Sequence, residues 1–194
     1  MKNLILLLVL LLPLISKAQS EIAADENKWN ITFDAGLLIG HPDADYPAPF
    51  VSNISFLYNL NDRVWAGAGS GAQVIGKTFI PLFLELRAIP FKSKPLFVYN
   101  RFGGTLCVNK NLSDEDGYQP STINQPHPLY ENVNTSGGIM NECGLGVLLD
   151  RGQWKSTYSI GYSYQQTRDE LTYGTIKTYE NHFNRLVIKI GFWF

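Results

Sequence analysis

At 194 residues the chain has room for one domain, and nothing in its patterning divides it in two. Charged residues make up only 17% of it and the net charge is -1, so it lacks the cationic excess that a nucleic-acid partner needs. Aromatics at 13% and 17 glycines suit an apolar outer surface with tight turns; a soluble β-sandwich has a similar balance, so residue order must separate the two.

Met1-Lys2-Asn3 precede an apolar run from Leu4 to Leu12, followed by Pro13-Leu14-Ile15-Ser16-Lys17-Ala18. A positive start, a short apolar stretch and small residues at the end read as a secretory signal peptide over 1–18. Ser16 and Ala18 place the cut before Gln19, leaving one domain over 19–194. A membrane anchor would need about 20 apolar residues; this run is shorter and Pro13 interrupts it. No Cys stands at the cleavage site to carry a lipid. Removal of Lys2 and Lys17 leaves 14 basic against 17 acidic residues, a net charge of -3. No later segment has the composition of a transmembrane helix, so a Gram-negative cell offers periplasm, outer membrane or medium as destinations.

The repeating signal in the rest of the chain has period two, the period of strands. Trp29, Ile31, Phe33, Ala35 and Leu37 alternate with Asn30, Thr32, Asp34, Gly36 and Leu38. Further strand segments fall at about 51–60, 63–72, 79–90, 95–108 and 138–149. Then Trp154, Ser156, Tyr158, Ile160, Tyr162 and Tyr164 alternate with Lys155, Thr157, Ser159, Gly161, Ser163 and Gln165. Finally Asn184, Leu186, Ile188, Ile190, Phe192 and Phe194 oppose Phe183, Arg185, Val187, Lys189, Gly191 and Trp193. Eight such segments match tilted strands crossing a bilayer, which take about 9–11 residues each. Short connections near Asn61-Asp62, Lys92-Ser93-Lys94 and Arg151-Gly152 alternate with longer ones expected at 41–50, 73–78, 109–137 and 166–181. That asymmetry predicts an all-β fold, an eight-stranded antiparallel up-and-down transmembrane β-barrel with both ends on the short-turn, periplasmic side. Trp29, Trp65, Trp154 and Trp193 all fall at that end, where an interfacial aromatic girdle is expected.

The last strand, Arg185-Leu-Val-Ile-Lys-Ile-Gly-Phe-Trp-Phe194, resembles the C-terminal strand of outer-membrane barrel proteins. The whole domain resembles the small eight-stranded group that includes the OmpA barrel, OmpX and the "porin-family" β-barrels. The resemblance implies location in the cell outer membrane among lipid and lipopolysaccharide. It also implies that Phe194 is a signal read by the barrel-assembly machinery. It implies little about activity, because one fold hosts many functions.

An eight-stranded barrel is just wide enough for side chains to fill. Alternation puts Asp34, Glu85, Arg87, Arg101, Glu142, Arg185 and Lys189 inside, three acids and four bases. Charges taken from water need partners, and this mixed set supplies them, either as a structural network or as the gate of a narrow pore. Gly36, Gly144, Gly146 and Gly161 share the inward phase and would leave room for long cationic side chains.

Catalytic and metal motifs are sparse. His41, His127 and His182 form no zinc-type pair, and no cofactor motif is present. In a deacylase-like reading, His182-Phe183-Asn184 carries Asn where a Ser nucleophile belongs, leaving Ser136 or Ser163 to approach through the fold. Asp114-Glu115-Asp116-Gly117 fails the calcium-loop pattern at Leu112 and Ile123 and reads as a solvated acidic loop. Cys107 takes the inward phase and Cys143 the outward one, which argues against a disulfide unless a bulge at Gly103-Gly104 flips the phase. The expected function is non-enzymatic: a barrel whose long loop 109–137, with Tyr118, His127, Tyr130 and Asn132, meets an unidentified extracellular partner. A gated pore, a lipid A-modifying acyl hydrolase or transferase, and a soluble periplasmic barrel holding an apolar ligand are the alternatives.

Overall fold

The computed structural model describes residues 28–40, 48–75, 77–91, 95–108, 111–112, 132–150, 155–173 and 175–194; the expected signal peptide over 1–18, His41, His127, Asp114-Glu115-Asp116 and Trp154 lie outside them. The strands are β1 (Trp29–Ile39), β2 (Phe50–Asn61), β3 (Val64–Ile75), β4 (Lys77–Ala88), β5 (Leu96–Cys107), the two-residue β6 (Asn111–Leu112), β7 (Asn132–Asp150), β8 (Lys155–Tyr173) and β9 (Thr175–Trp193). All but β6 form the wall. Each pairs antiparallel with its neighbours in chain order, β5 pairs with β7, and β9 closes on β1. The result is a closed eight-stranded up-and-down barrel.

β4 shows why these residues make a wall strand. Lys77, Phe79, Pro81, Phe83, Glu85 and Arg87 are buried, while Ile80, Leu82, Leu84 and Leu86 are exposed. A strand turns alternate side chains to opposite faces, so a mixed inner face and an apolar outer face follow from the residue order. Leu84 is 68% and Phe102 56% exposed. With Ile31, Phe33, Ile54, Phe56, Ile188 and Ile190 they make an apolar outer belt, the surface that a barrel presents to lipid. Pro81 has no N–H to give, and the β3–β4 pairing skips from Ser70↔Leu82 to Gln73↔Phe79 around it.

Three connections differ from the sequence expectation. In place of a longer connection at 73–78, β3 runs to Ile75 and β4 begins at Lys77. The segment 166–181 is a hairpin, not a loop, because β8 and β9 stay paired from Lys155↔Trp193 to Tyr173↔Thr175. Part of 109–137 is strand, since β7 begins at Asn132. β9 pairs with β1 only from Leu186 to Trp193, so the upper parts of β7, β8 and β9 form a tall sheet beyond the level where β1 ends. Among the described side chains there, Asn134, Ser136, Arg168 and Glu180 on one face and Thr135, Thr167, Asp169 and Asn181 on the other are polar, and the hydrophobic alternation that marks a membrane strand fades.

The aromatic girdle is corrected as well. Trp29 does face outward, edge-on to Tyr58 at 5.0 Å. Trp65 and Trp193 are buried in the lumen and meet edge to face at 5.1 Å. Trp193 lies an even number of residues from Lys189, so the pleat turns both inward. Its indole N–H donates to Asn30 Oδ1 at 3.0 Å. With Leu57, Ile89 and Leu148 the two rings form an apolar plug at the short-turn end.

Inward glycines make room chiefly for rings, rather than for the long cations expected. A Cβ on Gly146 would lie 2.5 Å from Phe97 Cζ, and one on Gly161 2.8 Å from the Tyr99 hydroxyl. We expect Gly146→Leu to destabilise the barrel by about 1–3 kcal/mol, the usual range for overpacking. Phe97→Leu in the same chain should recover part of the loss. Urea unfolding followed by gel mobility measures both.

Candidate functional site

All seven charged residues expected inside are buried, and six of them meet. Strand register explains how. Arg101 on β5 stands directly opposite Glu85 on β4 and opposite Glu142 on β7. Its Nε donates to Glu85 Oε2 at 2.9 Å, and Nη1 lies 3.5 Å from Glu142 Oε1. Across the lumen it reaches Asp34 on β1 through Nη2 at 2.5 Å and Nη1 at 3.2 Å. Arg87 closes on Glu85 Oε1 through Nη2 at 2.5 Å and Nε at 3.0 Å. Lys189 bonds Glu142 and lies 3.3 Å from Asp34 Oδ1. Three acids and three bases balance.

Period two also brings in neutral partners that the charge pattern did not single out. Ser55 donates to Glu85 Oε2 at 2.6 Å, and Asn53 donates to Asp34 Oδ1 at 3.0 Å. Aromatic faces cover the cations: Arg101 lies 5.0 Å from the Phe83 ring and 5.4 Å from Tyr99, and Arg87 lies 4.9 Å from Phe97 and 4.8 Å from Trp193. Lys189 sits 5.1 Å from Tyr99. Such contacts strengthen when water is excluded. Arg185 stands apart from the six. Its Nη1 donates to the Leu38 carbonyl at 3.4 Å, and its guanidinium covers Phe183 at 5.5 Å.

The lumen is layered around this network. Toward the short-turn end lies the tryptophan plug. Toward the other mouth lies a second apolar layer of Leu38, Val51, Ile75, Phe79, Cys107 and Val187, with Phe183 packed against it. Beyond that layer, Lys77 bonds Thr135, which bonds Asp169, and Asn181 donates to Asp169 Oδ2 at 2.7 Å. Sequence reading missed this group because it placed all four of its members in loops. Thr135 points inward only because a bulge interrupts the β7–β8 pairing between Gly137 and Met140, and not at Gly103-Gly104. The Gly138 N–H, freed by the bulge, donates to Thr105 Oγ1 at 3.2 Å. The pair Gly137-Gly138 was the available signal.

The other candidate residues do not converge. His182 is exposed on the outer face, stacked 6.0 Å from Tyr164, whose hydroxyl lies 2.9 Å from Nδ1. Ser163 is buried on the opposite face of the sheet. Ser136 is on β7, with β8 between it and His182, and it bonds the Arg168 carbonyl at 3.3 Å. Cys107 faces inward and Cys143 outward, and no disulfide joins them. Phe194 is exposed beside the closing pair, its N–H donating to the Ile31 carbonyl at 2.9 Å.

This geometry is that of the small eight-stranded outer-membrane β-barrels. Among solved structures the chain is similar to outer membrane protein AlkL, determined in DMPC bilayers, with a TM-score of 0.54 at 13% identity over 90% of this chain and 93% of that one. A weaker likeness is to Neisserial surface protein A, with a TM-score of 0.48 at 10% identity over 86% of this chain and 96% of that one. No family model and no curated protein sequence matches the chain.

Arg101 touches all three acids, so Arg101→Met would strand buried carboxylates. We expect a loss of about 3–5 kcal/mol, the cost of breaking a buried pair. Arg101→Lys should restore only part of it, because an ammonium cannot reproduce the planar fork. Denaturation curves in detergent or vesicles compare the three proteins.

Proposed function

We propose that the chain is an integral outer-membrane protein whose barrel is filled and closed to ions, and that it acts through the parts standing beyond the bilayer. The observation that carries this reading is the balanced charge network, covered by rings and bracketed by two apolar layers. Ions need a continuous wet path, and the described lumen offers apolar packing above and below the six-charge network. The apolar belt supports a place in lipid rather than in the periplasm as a soluble carrier. The acting parts are then the tall β7–β8–β9 sheet and the segment 109–137, facing lipopolysaccharide and an extracellular partner. The reading assigns the protein no reaction; the pairing of His182 with Tyr164, instead of with a serine, supports that.

Fractionation tests the location. The protein should appear in the outer-membrane fraction with heat-modifiable gel migration, whereas native protein in a detergent-free periplasmic extract would overturn the reading. Planar-bilayer recording tests the closed lumen. Wild type should show background conductance, and Glu142→Ala should lose stability while conductance stays at background. A measurable current in the variant would instead favour a pore gated by the Glu142–Lys189 and Glu142–Arg101 contacts.

Phe194 carries a separate expectation. Its exposed ring at the end of the closing strand suits recognition by the barrel-assembly machinery. Its deletion should lower the amount of assembled barrel far more than it lowers synthesis, as read by pulse-labelling followed by gel mobility.

A further inference from the structure

The upper β7–β8–β9 sheet has two unlike faces. Asn134, Ser136, Arg168, Thr178, Glu180 and His182 on its outer face are exposed. On its inner face Thr135, Thr167, Asp169 and Asn181 are buried. A sheet standing free beyond the rim would leave both faces wet. Instead, the inner face is turned to the barrel mouth, and a side chain from β4, on the far side of β5 from β7, meets it. Lys77 is the first residue of β4. Its ammonium bonds Thr135 Oγ1 of β7, Thr135 bonds Asp169 of β8, and Asp169 accepts from Asn181 of β9. One hydrogen-bonded chain thus ties the β4 rim to all three strands of the tall sheet.

We propose that Lys77, Thr135, Asp169 and Asn181 form a latch that holds the tall sheet across the mouth and shuts the lumen above Cys107. Three features fit that role. The β7 bulge between Gly137 and Met140 is what turns Thr135 inward; unbroken alternation from Glu142 would point it outward. Asp169 is a buried carboxylate, which is costly without charge-bearing or hydrogen-bonding partners, and the latch supplies them. Directly beneath lies the apolar layer containing Phe79 and Cys107, which are cross-strand partners, so release of the latch would open to water a face that is now buried.

Cys107 reports the state of the mouth. The test uses the full mature chain, folded and purified in detergent micelles, with Cys143→Ala to remove the outward thiol. Micelles leave both barrel ends in water, so the outcome depends neither on membrane orientation nor on conductance, and its failure is separate from failure of the proposed function. The probe is a small uncharged maleimide, with modification followed by mass spectrometry and folding followed by gel mobility on the same samples. In the parent, Cys107 should react at least tenfold more slowly than in urea-unfolded protein. Lys77→Met and Thr135→Val should each raise the folded-state rate at least tenfold, and Lys77→Arg should keep it low. Removing a neighbouring cation lowers the thiolate fraction, so a faster reaction in Lys77→Met reports access and not thiol activation. Unchanged rates in the folded variants, or a parent rate equal to that of unfolded protein, would overturn the latch.

Discussion

Closure of β9 on β1 is the contact on which the rest of the structure depends. Hydrocarbon offers no water to unpaired N–H and C=O groups, so a sheet can cross a bilayer only without edges. Here the pairing runs from Thr32↔Trp193 to Ile39↔Leu186. Phe194 extends it by exchanging two hydrogen bonds with Ile31. The wall therefore ends on the last residues of the chain, and strand one cannot be satisfied until strand nine is in place.

Closing eight strands creates the second constraint, a narrow interior that must be filled. This chain fills it with rings laid over glycines and with charges held between the rings. Arg101 is nearly fully buried, yet it has carboxylates on three sides and two aromatic faces beside it. An apolar core of equal volume would be at least as stabilising. What the charged core contributes is one defined arrangement: Arg101 must lie between Glu85 and Glu142, and a one-residue slip of β5 would turn it toward lipid.

The two mouths are built differently. At the short-turn end Trp65 and Trp193 pack with Leu57 as an ordinary apolar plug. At the other end an apolar layer is overlain by a polar chain that links β4 to the tall sheet. On the outside, Tyr162 and Tyr164 bond Asn184 and His182 at about the level where the apolar belt gives way to polar residues. That boundary suits the headgroup region, where amphipathic rings settle. Strands that continue past it have left the lipid, and their inner faces are free to carry polar contacts such as Asp169–Asn181.

Much of this was written in the residue order. Successive side chains of a strand must face opposite ways, so alternation in β1, β4 and β9 was enough to place Asp34, Glu85, Arg87, Arg185 and Lys189 inside, and alternation in β5 and β7 to set Cys107 and Cys143 on opposite faces. The same rule, applied consistently, would have put Trp193 inside rather than in a girdle. Which acid meets which cation was not legible, because that depends on register between strands far apart in the chain, as in the 67-residue span from Asp34 to Arg101. Nor was the extent of β8 and β9, since beyond the bilayer neither face is selected to be apolar and the period-two signal disappears. The bulge at Gly137-Gly138 was hidden for a related reason. Two glycines are compatible with a turn, a ring contact or an extra residue, and only the Thr105 side chain waiting across the ladder decides among them.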